Sequence, residues 1–201
     1  MAVPPACRPP ANHIVNTRLS CLRRLVAGLA AGLLAAAPGW CESLWGTVVE
    51  VSKGDTLTVL DNDKARHRVR LAAIEAPESR QAFGPESRRH LSDLALGKRV
   101  TVERRKDDDF GRIVGRVLLP AQGCATCPPS RDAGLAQLEA GLAWWYREER
   151  RAQPLEEQGY YEYAEFDARA RRLGLWRDAA PQPPWEWRKR EGKARIALSA
   201  P

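Results

Sequence analysis

The sequence is poor in the residues that hold small domains together covalently or through a metal. Its 201 residues include five cysteines and three histidines, too few for the disulfide framework of a small secreted domain. A structural zinc site needs about four ligands, and the pair Cys124 and Cys127 has no second Cys or His pair to complete one. The fold must therefore depend on a hydrophobic core, for which 44% hydrophobic residues are sufficient.

The sequence also lacks a hydrophobic run long enough to cross a bilayer comfortably. The longest apolar run, residues 25–37, is shorter than the ~20 residues that a membrane-spanning helix needs. Residues 1–41 contain four arginines and no acid, and small residues follow the apolar run. This pattern is typical of a secretory signal peptide, and an uncleaved anchor in the inner membrane is the alternative. We therefore expect export to the periplasm or the extracellular space, with membrane contact only if this segment remains attached.

The net charge of +7 comes from the two ends of the chain. Four basic residues lie in residues 1–41, and five basic residues with one acid lie after residue 187. Setting these aside leaves 23 basic and 24 acidic residues in residues 42–187. Because the central region is nearly neutral, overall basicity does not indicate a nucleic-acid-binding surface there. The positions of individual charges must decide the function.

Patterns of apolar and turn-forming residues predict an α+β domain. Runs rich in β-branched residues predict five strands, at residues 48–51, 56–60, 69–74, 99–104 and 113–119. Helical spacing and capping residues predict about three helices, at residues 85–96, from Asp132 to about Gly141, and from about Leu155 to Gly174. Five strands with helices between them favour a Greek-key barrel of the OB-fold type. We expect this domain over residues 45–188, followed by a basic, disordered tail over residues 189–201.

Three short segments contain polar residues that a barrel does not need. They are the turn Lys53-Gly54-Asp55-Thr56, the segment from Arg70 to Glu78 (R-L-A-A-I-E-A-P-E), and the turn Phe110-Gly111-Arg112. Each one alone is more often structural than functional: a turn, a surface ion pair or a solvated strand end. Their order and spacing together are what favour a common function.

These segments resemble the staphylococcal nuclease (thermonuclease) family, whose pattern is a G-D-T turn, an R-L-x-x-I-[DE]-x-P-E segment and an aromatic-G-R turn. The later sequences G-L-A-W at 141–144 and G-L-W at 174–176 resemble the helical half of the family. P-P-W-E-W-R at 183–188 is similar to the tail of its exported bacterial members. The resemblance implies an OB-fold barrel that hydrolyses DNA and RNA phosphodiesters with Ca²⁺, as an endonuclease of low sequence specificity. Its partner would be a nucleic acid substrate, either single-stranded or frayed DNA or RNA. No obligate protein partner is implied.

The resemblance also implies a metal site. Asp55 and Glu75 would supply carboxylates to Ca²⁺, and Ala76 would supply its backbone carbonyl. Calcium prefers six to eight oxygen ligands in irregular geometry, so water and phosphate would complete the shell.

The remaining site residues follow from the same resemblance. Arg70 and Arg112 would be catalytic phosphate clamps, because a guanidinium remains charged and offers a planar fork to two oxygens. Glu78 would act as the general base towards the attacking water, or would mainly orient that water. Phe110 and Tyr146 are the candidate substrate-binding aromatics.

Three positions depart from the family pattern. Lys53 stands where the family commonly has an acid, so either calcium binds more weakly or Lys53 turns outward. Glu75 replaces a common Asp, and Phe110 lacks the hydroxyl of a Tyr. A catalytically silent OB-fold module that binds nucleic acid or protein is therefore the alternative function.

Two further features have mainly structural interpretations. Cys124 and Cys127 lie in a loop rich in Pro and Gly, and in an exported protein they favour a local disulfide. The aromatic run Trp144, Trp145 and Tyr146 is expected at the end of a helix. Its three side chains cannot all face one way there, so at least one belongs to the core.

Overall fold

The structure, a computed structural model, describes residues 43–121 and 129–199. The predicted signal peptide (residues 1–41) and the predicted disulfide between Cys124 and Cys127 lie outside these residues. The elements in chain order are β1 (Ser43–Lys53), β2 (Thr56–Asp61), β3 (Arg66–Leu71), β4 (Ile74–Glu75), α1 (Gly84–Ala95), β5 (Arg99–Asp107), β6 (Ile113–Leu119), β7 (Arg131–Asp132), α2 (Ala133–Glu139), β8 (Trp144–Trp145), α3 (Leu155–Ala170) and α4 (Pro184–Ser199). Two 3-10 helices, Arg147–Ala152 and Gly174–Arg177, flank α3.

Five of the strands close into a barrel, which confirms the predicted fold class. Strand β1 pairs antiparallel with both β2 and β5, β2 pairs with β3, and β5 pairs with β6. The barrel closes where β3 and β6 run parallel, with Val69 opposite Ile113 and Leu71 opposite Gly115. Closure of this kind leaves these five strands without an open edge.

The barrel interior explains why these five segments form strands. Each strand contributes a fully buried valine, and such β-branched side chains fit the pleated surface of a sheet well. These valines are Val48, Val59, Val69, Val102 and Val117. Helices α1, α2 and α3 add Leu91, Leu138 and Tyr161 to the same cluster. One core therefore joins the barrel and the helices.

The chain leaves the barrel earlier than the sequence predicts. The third predicted strand ran to residue 74, but β3 ends at Leu71 and Ala73 adopts a left-handed conformation with φ 58°. This turn starts a separate two-residue strand, β4, which pairs with β8. Trp144 and Trp145 thus lie in a short strand and not at a helix end, and both are buried.

The end of α3 also differs from the expectation of a cap at Gly174. The helix ends at Ala170, and Arg172 takes the left-handed position with φ 53°. Gly174, beyond the helix end, also has a left-handed conformation with φ 50°, and a close backbone approach is a second reason for glycine there. A β-carbon there would lie 2.1 Å from the carbonyl oxygen of Gly141, which accepts a hydrogen bond from the Leu175 N–H. The two glycines let these loops approach each other.

The segment after residue 188 differs from the expected disordered tail, because helix α4 extends from Pro184 to Ser199. Long-range packing fixes the start of this helix. The ring of Trp185 lies 5.9 Å from that of Trp144 and 5.6 Å from that of Tyr146. The basic composition of this segment gives no sign of these ring contacts. Of the helices within the described ranges, none is long and apolar enough to cross a lipid bilayer.

Asp132 links α2, α3 and the barrel through one buried carboxylate. It accepts hydrogen bonds from the N–H groups of Gly134 and Leu135 at the start of α2, which confirms its predicted capping role. Its other oxygen accepts from the Tyr161 hydroxyl at 3.0 Å and from Arg116 Nε at 2.7 Å. All of these donors would lose a partner if the carboxylate were removed.

We therefore expect Asp132→Ala to lower the free energy of unfolding by about 2–4 kcal/mol, from the lost helix cap and the unpaired buried donors. Urea unfolding followed by tryptophan fluorescence measures the change. The matched control is Asp167→Ala, which removes an exposed pair with Arg171 and should change stability by less than about 0.5 kcal/mol. Equal losses in both variants would contradict the central role of Asp132.

Candidate active site

One cleft of about 790 Å³ brings together the residues that the sequence analysis assigned to a site. Seven of the eight predicted residues line it: Asp55, Arg70, Glu75, Glu78, Phe110, Arg112 and Tyr146. The eighth, Ala76, is buried next to the cleft, and its N–H donates to Asp55 Oδ2 at 3.1 Å. Residues more than ninety positions apart in sequence therefore meet at one place.

The β1–β2 turn and the chain after β3 are joined through Asp55. Its backbone carbonyl accepts from the Leu71 N–H at 2.8 Å, and Oδ1 accepts from Thr56 Oγ1 at 2.8 Å. The turn fits closely against α1, since a β-carbon on Gly54 would lie 1.8 Å from Ser87 Oγ. Asp55 thus has a fixed, nearly buried position.

Glu75 is a second carboxylate in a similarly dry environment. Burial raises its pKa above the ordinary value, although the Arg188 guanidinium partly offsets this effect. The nearby negative charge of Asp55 raises the pKa further. Two close, desolvated carboxylates favour a bound cation.

The donor set fits calcium in kind but is small. Within residues 43–121 and 129–199, no group of three or more His, Cys, Asp or Glu side chains is arranged to hold a metal ion. Asp55, Glu75 and the backbone of Ala76 nevertheless offer hard oxygen atoms, the ligand type that calcium prefers. Water and a substrate phosphate would have to supply the rest of the shell.

Glu78 lies between two cations. Lys53 Nζ donates to Oε2 at 2.6 Å, and Arg188 Nη1 donates to Oε1 at 3.0 Å. Burial acts to raise the pKa of Glu78, but the hydrogen bonds and charges of Lys53 and Arg188 outweigh it, so the pKa is lowered. The side chain of Lys53 therefore faces the site and does not turn outward.

Arg70 is held by a residue that the sequence analysis missed, Glu149. This carboxylate accepts from Arg70 Nη2, from Lys106 Nζ at 3.0 Å and from the Ala73 N–H at 2.9 Å. Burial acts to raise the pKa of Glu149, and these donors, Arg70 first, lower it below the ordinary value. Arg70 Nη1 also donates to the carbonyl of Ile74 at 3.3 Å.

Arg112 is fixed within its own turn. Asp108 Oδ2 accepts from Arg112 Nε at 2.7 Å, while Oδ1 accepts from the N–H groups of Phe110 and Arg112. Gly111 has φ 69°, which allows the tight turn. The side chain of Phe110 is 79% exposed, and its ring centre lies 5.5 Å from the Arg112 guanidinium carbon. A guanidinium and an open aromatic face thus stand together on the cleft wall.

Tyr146 forms another part of the wall. Its hydroxyl donates to Glu148, and this hydrogen bond, together with burial, raises the pKa of Tyr146 to about 12. The phenol therefore remains neutral over the ordinary pH range. Its ring also packs against Trp185 of α4.

Arg188 is the second residue that the sequence analysis did not assign to the site. Its fork contacts Glu75 as well as Glu78, with Nη2 donating to Glu75 Oε2 at 2.9 Å. Its place at the end of P-P-W-E-W-R was visible in the sequence, but the contact depends on the fold of α4. Of the five predicted charged groups, four thus have an oppositely charged neighbour, while Asp55 is held by the Thr56 hydroxyl and the Ala76 N–H.

Comparisons with known proteins agree in pointing to one family. A family model described as "Staphylococcal nuclease homologue" matches residues 68–178. "Micrococcal nuclease" of Shigella flexneri is 38% identical over 175 residues, which cover 87% of this chain and 96% of that protein. "Protein ParB" of Escherichia coli is 38% identical over 181 residues, 90% and 98% of the two chains. An "Uncharacterized endonuclease" of Escherichia coli is 37% identical over 154 residues, 77% and 91% of the two chains.

The pKa of Glu75 is raised and that of Glu149 is lowered, so replacing each glutamate by glutamine should change the free energy of unfolding differently. At pH 7, Glu149→Gln should lower the free energy of unfolding by about 2 kcal/mol, because an amide cannot satisfy the donors that the carboxylate binds. Glu75→Gln should leave stability unchanged or raise it, because it removes a charge that burial disfavours. Urea unfolding at several pH values measures both.

The pH dependence of these changes in unfolding free energy gives a second check of their directions. The loss in Glu149→Gln should shrink as the pH falls from the ordinary value of 4.5 through the lowered pKa of Glu149. Any gain in Glu75→Gln should likewise vanish below 4.5, where the wild-type carboxyl is protonated in both states. Glu156→Gln, on an exposed part of α3, should show neither trend. Shifts of the same sign in Glu75→Gln and Glu149→Gln would contradict the assignment.

Proposed function

We propose that this chain uses calcium and cleaves both DNA and RNA with little sequence specificity. The chain belongs to the staphylococcal nuclease family and is a nuclease that hydrolyses phosphodiester bonds. The observation that carries the proposal is the pair of close, desolvated carboxylates Asp55 and Glu75. They lie in the same cleft as the guanidinium groups of Arg70 and Arg112 and the carboxylate of Glu78, whose pKa is lowered. An anionic diester and a hard cation are the partners that such a cleft suits.

Asp55, Glu75 and the carbonyl of Ala76 would hold the calcium ion. Bound there, calcium would draw a phosphate oxygen into its shell and reduce the negative charge on the diester. The hydrogen bonds from Thr56 and Ala76 to Asp55 fix one ligand in advance. Glu75 would have to give up its contact with Arg188 to free Oε2 for the ion.

Arg70 and Arg112 would stabilise the charge that develops on the phosphate oxygens. Each guanidinium already has one carboxylate partner, Glu149 for Arg70 and Asp108 for Arg112. These partners orient the forks while leaving further N–H groups for a phosphate. Pre-oriented donors in a partly dry site are a large source of rate enhancement.

Glu78 would accept the proton of the attacking water. Its lowered pKa keeps the carboxylate ionised near neutral pH, which a general base requires. Because Lys53 and Arg188 occupy both oxygens, a water molecule must displace one of these cations to reach the carboxylate.

The aromatic walls favour a substrate with accessible bases. Phe110 presents an exposed ring, and stacking of a base on an aromatic side chain stabilises single-strand complexes by about 1–3 kcal/mol. Tyr146 offers a hydroxyl that is neutral over the ordinary pH range. Stacking does not depend on base identity, so single-stranded or frayed DNA and RNA are the expected substrates.

The central test compares cleavage by wild type and Glu78→Gln with calcium and with a chelator. Plasmid DNA, single-stranded DNA and RNA are assayed separately by gel. We expect the chelator to abolish cleavage, and Glu78→Gln to lose about 10²-fold or more in rate with calcium present. Arg112→Lys should lose about 10²–10³-fold, because one ammonium cannot replace the planar fork.

The matched control is Glu86→Gln, which alters an exposed pair with Arg177 outside the cleft and should retain wild-type activity. Cleavage that resists the chelator would contradict calcium dependence. Full activity of Glu78→Gln would contradict its role as the base. Cleavage of DNA but not of RNA would restrict the proposed substrates to DNA.

We also propose that the protein is exported, on the basis of the charge and apolar pattern of residues 1–41. When the full chain is expressed in bacteria, the mature protein should begin after Gly39 or Cys41, where small residues follow the apolar run. Mass spectrometry of the periplasmic and membrane fractions measures this. An intact chain found in the membrane fraction would instead indicate an N-terminal anchor.

A further inference from the structure

A single guanidinium bridges the two glutamates of the cleft. Arg188 Nη2 donates to Glu75 Oε2 at 2.9 Å, and Arg188 Nη1 donates to Glu78 Oε1 at 3.0 Å. One of these glutamates is a proposed calcium ligand and the other is the proposed general base. Arg188 therefore places a positive charge beside the proposed metal position.

Helix α4 holds Arg188 there by contacts that do not involve the glutamates. The Trp185 ring packs against Trp144 and Tyr146. Just before the helix, the carbonyl of Gln182 accepts from Gln81 Nε2 at 2.5 Å. Because these contacts remain when the arginine is changed, its replacement should remove the charge without releasing α4.

The two glutamates depend on Arg188 to different extents. Among the ion pairs of the described residues, Glu75 has Arg188 as its partner, whereas Glu78 also has Lys53. The side chain of Arg188 is 48% exposed, while that of Glu75 is 12% exposed. The cation can thus move into solvent, and the carboxylate that it leaves would remain desolvated and in need of another cation.

We propose that Arg188 is a further residue of the active site, a resident counter-cation that calcium must displace from Glu75 and that thereby sets the calcium affinity. The inference rests on the proposed calcium dependence of the enzyme. A guanidinium and a divalent cation on the same carboxylate repel each other, and in a partly buried cleft solvent screens this repulsion weakly. Binding of calcium at Glu75 and retention of Arg188 there are therefore competing states.

Isothermal titration calorimetry with calcium, without any substrate, tests this competition. Wild type, Arg188→Gln and Lys189→Gln are compared. Arg188→Gln should bind calcium about tenfold more tightly, a typical coupling between competing states. Lys189 is the next residue of α4 and is exposed, so Lys189→Gln removes the same unit charge and should change the affinity by less than about twofold. Thermal melting shows that all three proteins are folded.

The outcomes separate this inference from the proposed function. Calcium binding of equal strength in wild type and Arg188→Gln, or weaker binding in Arg188→Gln, would overturn the role of Arg188 and leave calcium dependence intact. An equal gain in both variants would show a general charge effect and would also overturn it. No calcium binding by any of the three proteins would overturn both proposals.

Discussion

The geometry of the cleft depends on the left-handed turn at Ala73, where the chain leaves the barrel. The Ala73 N–H donates to Glu149, and its carbonyl accepts from the Tyr146 N–H. This turn lets β4 pair with β8 and leaves Glu75 opposite Trp144. The proposed phosphate clamp Arg70 precedes the turn and the proposed metal ligand follows it. One backbone conformation therefore positions both kinds of group.

A second constraint follows from collecting so many charges in a partly dry cleft. Desolvated charges are strongly unfavourable unless they are paired, and this chain supplies partners from its own side chains. The pairs are Arg70 with Glu149, Arg112 with Asp108, Glu78 with Lys53, and Glu75 with Arg188. At these four pairs, the proposed substrate and metal would therefore have to replace an ion that the protein already supplies. The ion pairs that lie farthest from solvent act mainly to orient their side chains. The more exposed ion pairs are easier to break and replace.

The parts of this structure that the sequence could predict are those with local causes. Runs rich in β-branched residues predict the barrel strands, and Asp132 predicts the start of α2, because each signal depends on nearby residues. The clustering of Asp55, Arg70 and Arg112 was implied by the resemblance of their motifs to the staphylococcal nuclease family. Two-residue strands carry no periodicity, so β4 and β8 were not predictable. Glu149 and α4 were missed because their places depend on contacts with distant residues, and composition does not record such contacts.

The two cations around Glu78 explain how the site can tolerate the substitution of Lys53 for an acid. Among the ion pairs of the described residues, Lys53 is paired with Glu78, so its charge acts first on the proposed base. If Arg188 leaves with the arrival of calcium, Lys53 alone still favours the ionised form of Glu78. The base then remains ready to accept a proton while Glu75 becomes available as a ligand. Lys53 and Arg188 thus differ in position, because Arg188 bridges the two glutamates, and this bridge is the contact that the proposed metal binding would have to break.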